Sequence, residues 1–73
     1  MKTYKDSDND SNIKGYEYGD SWIRVYFKDD SEYEYSNGLI TQYMIDQMKH
    51  LADRGDGLNA YINQHKPRYS SKK

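Results

Sequence analysis

A chain of 73 residues makes one domain that buries only about 60% of its unfolded surface, so a second domain is excluded and little stability is in reserve. It contains no Cys, which removes disulfides and thiolate zinc sites and leaves packing to hold the fold. The net charge of −1 hides an asymmetry: residues 1–36 carry 5 Lys/Arg against 9 Asp/Glu and residues 37–73 carry 6 against 3, so basic charge gathers toward the C-terminus.

No apolar stretch approaches the roughly 20 residues that cross a bilayer, and no signal-peptide apolar region follows Met1. A soluble cytoplasmic protein with no membrane partner is expected. Met1 to Asn12 is polar and Asp-rich, too poor in apolar surface to order itself, so residues 1–10 are expected to be a flexible acidic segment. Within it, Asp6, Asp8, Asp10 and Glu17 fall at the first, third, fifth and twelfth positions of an EF-hand loop, with Ile13 at the apolar eighth. Ser11 stands where the loop's sharp turn needs Gly, and no helix can flank the run on either side. Calcium binding by this segment is therefore the weaker alternative to an accidental match. Asn9-Asp10-Ser11 also fits a glycosylation acceptor, without a secretion signal.

Ile13 to Tyr18 reads as a first strand, and Gly19-Asp20 supplies the turn into a second, Trp22 to Lys28. Alternation sends Ile23, Val25 and Phe27 to one face and Trp22, Arg24, Tyr26 and Lys28 to the other. A third strand, Ser31 to Tyr35, follows the Asp-rich turn. A loop of Asp29-Asp30-Ser31 predicts Lys28 opposite Glu32, Phe27 opposite Tyr33, Tyr26 opposite Glu34 and Val25 opposite Tyr35. This register puts Tyr33 and Tyr35 on the core face.

Ser36-Asn37-Gly38 breaks the sheet, and Ile40, Met44, Met48 and Leu51 then recur at helical spacing, with Tyr43 and Ala52 at the margins. Thr41 is the expected N-cap, Gly55 the C-terminal stop, and Asp56 the cap of a second short helix bearing Leu58, Tyr61 and Ile62. Pro67 ends that helix. A basic tail over 70–73 follows, with Tyr69 as anchor. The expected fold is α+β, a three-stranded antiparallel sheet packed on two C-terminal helices in the order β-β-β-α-α.

Ser11-Asn12-Ile13, Gly15-Tyr16, Phe27, Tyr33-Glu34-Tyr35 and Gly57-Leu58-Asn59 with Ile62 together resemble the KTSC domain over residues 11–69. The family's hallmark Tyr-x-Tyr falls on Tyr33 and Tyr35. The domain is named for a segment at the C-terminus of some lysyl-tRNA synthetases and also occurs as stand-alone small bacterial proteins. The resemblance implies an RNA-binding role. The chain departs from the pattern at Asp30, where the family tends to carry Gly, at Asp53, where it tends to carry Ser, and in a shortened segment before Trp22.

Nine of the residues are Tyr, which suits both a core near solvent and a surface that stacks on bases or docks a partner. The outer sheet face interleaves Trp22 and Tyr26 with Arg24 and Lys28, an arrangement that single-stranded nucleic acid uses for stacking and phosphate contact. The bland reading of the same face is a solvated sheet in which Lys28 and Arg24 pair with Glu32 and Glu34. Lys66, Arg68, Lys72 and Lys73 form the second electrostatic footprint. Trp22, Arg24, Tyr26, Lys66 and Arg68 are thus the expected nucleic-acid contacts. His50 and His65 sit in no metal-binding or nucleophile motif, so no catalytic residue, metal or cofactor is expected. The alternative to RNA is a protein-interaction module or homodimer using the aromatic sheet face.

Overall fold

The computed structural model describes residues 1–6 and 11–73. Asp8 and Asp10 of the calcium pattern, and the Asn9 acceptor, lie outside them. Along the described residues run β1 (Lys2–Thr3), β2 (Ile13–Tyr18), β3 (Trp22–Phe27), β4 (Glu32–Ser36), α1 (Gln42–Arg54), α2 (Leu58–His65) and β5 (Ser71–Lys72). The strands form one antiparallel sheet in chain order. The α+β class and the strands-then-helices order follow the alternation and helical spacing of the sequence.

The expected three strands are the three long ones, β2 to β4, and the sheet gains a two-residue strand at each edge because both chain ends join it. Lys2 lies opposite Tyr16, and Lys72 lies opposite Tyr33. Two-residue strands carry no period to read, so neither was predicted. What orders the first is Tyr4, buried to 5% exposure, whose hydroxyl accepts from the Leu58 amide at 3.3 Å. Gly15 makes room for it: a Cβ there would come 2.8 Å from the Lys2 carbonyl oxygen.

The central hairpin keeps its predicted faces but not its predicted pairing. Tyr26 lies opposite Glu32, Val25 opposite Tyr33, Arg24 opposite Glu34 and Ile23 opposite Tyr35. The three-residue loop is Lys28-Asp29-Asp30, one position earlier than expected, and the Phe27 amide donates to the Ser31 carbonyl at 2.9 Å. Moving the loop by one shifts the pairing by two, which preserves the side-chain alternation. Asp30 takes the left-handed conformation, φ 72°, that closes such a loop. Lys28 therefore sits in the turn, its Nζ 3.4 Å from Asp6, and does not pair with Glu32.

In α1, Thr41 caps as expected, its hydroxyl oxygen accepting from the Met44 amide at 3.2 Å. Gly55 ends the helix at φ 74°, its amide reaching the Leu51 and Ala52 carbonyls while Asp56 also returns to Leu51. The buried stripe is Ile45, Met48 and Ala52, with Met44 and Leu51 half-buried and Tyr43 exposed. Ile45, absent from the predicted stripe, is fully buried. Gln42 and Lys49 both donate to the Asp20 carbonyl, at 2.8 Å each, which fixes α1 against the turn between β2 and β3. Asp56 does not cap α2. Gly57 holds that position without a side-chain bond, and the Tyr4 hydroxyl satisfies the Leu58 amide instead.

Both helices cover the same sheet face. Ile23 and Val25 of β3 are buried with Ile45 and Met48 of α1 and Leu58 of α2, and Tyr16 and Tyr35 close the sides. The other face of the sheet carries Trp22 and Tyr26 together with the charged Glu17, Arg24 and Glu34.

Candidate nucleic-acid interface

That outer face is a closed charge network. The Arg24 guanidinium donates to Glu34 at 2.5 and 3.1 Å and to Glu17 at 2.9 Å, reaching one carboxylate on each neighbouring strand. Tyr26 donates its hydroxyl to the same Glu17 oxygen, and the Arg24 guanidinium lies 5.4 Å from the Trp22 ring. The hydrogen bond from Tyr26, and then the charge of Arg24, hold the Glu17 carboxyl below its ordinary range against the opposing effect of burial. Arg24 is thus committed to two carboxylates that would repel phosphate. Glu17, the twelfth residue of the calcium pattern, is held here on a strand. Asp6, its first residue, accepts instead from the Ser11 amide and Lys28. Among the described residues no group of three His, Asp or Glu side chains could hold a metal ion.

Lys66 and Arg68 lie in the segment that joins α2 to β5. Lys66 is the C-cap of α2 with φ 46°, Pro67 behind it is buried, and the chain then brings Tyr69 edge-on to Tyr33, ring centroids 5.0 Å apart. Tyr33 is itself edge-on to Phe27 at 5.3 Å. Phe27, Tyr33 and Tyr69 therefore form a continuous run of rings across three chain segments, with the Lys72 ammonium 5.2 Å from the Tyr33 centroid. Among the described residues, Lys66 and Arg68 have no carboxylate partner. The fold separates the expected contact set: Trp22, Arg24 and Tyr26 lie on the outer face of β3, whereas Lys66 and Arg68 are exposed in the segment between α2 and β5.

The run borders a cleft of about 450 Å³ between the β3–β4 hairpin and α2. Phe27, Tyr33, Tyr35 and Ile62 supply its apolar lining. Asn12, Asn59 and Asn63 line it with amides, and Lys28, Asp29 and Ser31 stand at the turn. Ser31 donates its hydroxyl and its backbone amide to the Asp29 carboxylate, holding that carboxyl below its ordinary range, the hydroxyl contributing most. Burial, with smaller contributions from Tyr33 and Tyr69, pushes the Tyr35 hydroxyl up to about 12, so it stays a neutral wall of the cleft. No family model, curated protein or solved structure matches this chain. Six residues of the motifs named in the sequence analysis meet in this one cleft: Asn12, Phe27, Tyr33, Tyr35, Asn59 and Ile62.

A second cluster ties the sheet to α1. Tyr16 and Tyr18 donate their hydroxyls to the two carboxylate oxygens of Asp53 at 2.7 and 2.6 Å, and Lys2 approaches the same carboxylate at 3.8 Å. Asp53, a departure from the family pattern, is here a clamp between layers. Sequence reasoning missed it because the partners are separated by more than 30 residues. It also missed the cleft's amides, although Asn59 and Asn63 stand one helical turn apart, the spacing that puts two side chains on one helix face.

Proposed function

We propose that this chain is a KTSC-like, non-enzymatic module that binds single-stranded RNA along the helix side of its sheet. The observation that carries the reading is the run Phe27–Tyr33–Tyr69 with the Lys72 ammonium 5.2 Å from the Tyr33 centroid, in the part of the chain that also holds the exposed Lys66 and Arg68. Aromatic rings offer sequence-tolerant stacking platforms and exposed cations track phosphate. The outer face supports the reading less well, because its arginine is already neutralised. A binding role suits the titratable groups too: Glu17 and Asp53 are both shifted down by tyrosine hydroxyls, so neither is poised as an acid or base near neutral pH.

The test is anisotropy of an end-labelled RNA octamer at rising salt. Binding that weakens steeply with salt, with the slope falling by about one for each of Lys66→Gln and Arg68→Gln, supports the reading. Absence of binding at low salt by folded protein overturns it.

A second reading, a homodimerising module, draws on the helix surface. Leu39 and Tyr43 are 45% and 70% exposed, and the Tyr61 hydroxyl is shifted up by burial first and by the electrostatic influence of Tyr43 second. Sedimentation equilibrium decides it: a dimer that Tyr43→Lys dissociates favours this reading, and a monomer at high concentration removes it.

A further inference from the structure

We propose that the cleft between the β3–β4 hairpin and α2 receives one unstacked nucleobase of the bound RNA; this rests on the RNA-binding reading and names the part of the ligand that enters the fold. At about 450 Å³ the cleft has the size of a small-ligand site, and it is only partly open to solvent. Its chemistry is divided as a base requires. Phe27 and Tyr33 offer ring surface for the π-face.

Asn12, from the segment before β2, and Asn59 and Asn63, from α2, present side-chain amides that have no hydrogen-bond partner among the described residues. Each amide pairs a donor with an acceptor, which matches the adjacent donors and acceptors on a base edge. Lys72 stands over Tyr33, where a sugar-phosphate chain leaving the cleft would meet its ammonium, whereas Lys28 at the turn is paired with Asp6 and neighbours the Asp29 carboxylate, so the chain must leave on the Lys72 side. A backbone-only binder would need the cations and neither the cleft nor its amides.

The experiment compares an RNA octamer with the fully abasic ribose-phosphate strand of the same length, by anisotropy at fixed low salt. The expected result is that the abasic strand binds about tenfold more weakly. Asn59→Leu and Asn63→Leu, each verified as folded, should weaken the octamer by a similar factor and leave the abasic strand unaffected. Equal affinity for the two strands overturns the base pocket while leaving RNA binding intact. Failure of both strands to bind overturns both ideas.

A second measurement follows the side-chain amide NMR signals of Asn12, Asn59 and Asn63. Nucleoside monophosphates should shift them, and ribose 5-phosphate should not. Equal shifts from the sugar phosphate would make the cleft a phosphate site and overturn the proposal. A mononucleotide binding as tightly as the octamer would make a free nucleotide the ligand, which also overturns it.

Discussion

The Tyr4 hydroxyl accepts the Leu58 backbone amide at 3.3 Å, joining the start of the chain to the first turn of its last helix. Leu58 is fully buried, so its N–H has no water to turn to. Tyr4→Phe keeps the ring and deletes the acceptor. An unsatisfied buried donor costs about 1–3 kcal/mol, and urea unfolding of the variant should show a loss within that range. No loss would mean that another group takes over the amide.

The Asp53 clamp makes stability depend on acid. Hydrogen bonds from Tyr18 first and Tyr16 second, with Lys2 nearby, hold its carboxyl below the usual carboxylate range. A folded-state pKa below the unfolded value of about 3.9 contributes stability that is complete above that value and lost as pH falls through the folded one. The carboxylate is partly exposed, so solvent screens the gain. Asp53→Asn should cost about 1 kcal/mol at pH 7, and the deficit relative to the unmodified chain should shrink below pH 4. A deficit that is constant from pH 7 to pH 3 would show that the carboxylate's charge plays no part.

What the sequence revealed and what it concealed divide by range. Ile13–Tyr18, the faces of Trp22–Phe27, the Thr41 cap and the Gly55 stop are local, set by alternation, a hydroxyl three residues from its amide, or a left-handed turn. The hairpin pairing slipped by two because Asp29, Asp30 and Ser31 all have turn chemistry, and either three-residue loop preserves the faces. The short strands at Lys2 and Ser71 exist only through partners far along the chain. For the site, aromatic–cation interleaving was legible, but the strand alternation that exposed Arg24 also placed Glu17 and Glu34 on either side of it. Tyr69 and the three asparagines gain meaning only when α2 folds over the hairpin.

Gly55 carries two demands at once. Its φ of 74° is one that other residues reach at a cost of about 1–2 kcal/mol. A Cβ there would also come 2.5 Å from the Lys5 Cβ. Gly55→Ala should therefore lower stability by about 1–2 kcal/mol or more, and part of the loss should return in the Lys5→Gly background, which removes the crowding and leaves the strain. Simple additivity in thermal unfolding would show that Lys5 moves aside freely.

Arg24 decides which face of the sheet meets RNA. Its guanidinium bridges Glu17 and Glu34, so Arg24→Leu leaves the two carboxylates on the strands that flank β3 without their shared cation. The melting temperature should fall by several degrees, and high salt should restore part of it by screening the uncovered carboxylates. If RNA runs along Phe27, Tyr33 and Tyr69, affinity should stay within about twofold of the unmodified chain and the salt slope should not change, since no phosphate contact is lost. Arg68→Gln, by contrast, should leave the melting temperature in place and lower the slope by about one. The two variants thus separate a residue that holds strands together from one that holds a ligand. A salt slope that falls with Arg24→Leu and not with Arg68→Gln would move the interface to the outer face beside Trp22 and Tyr26.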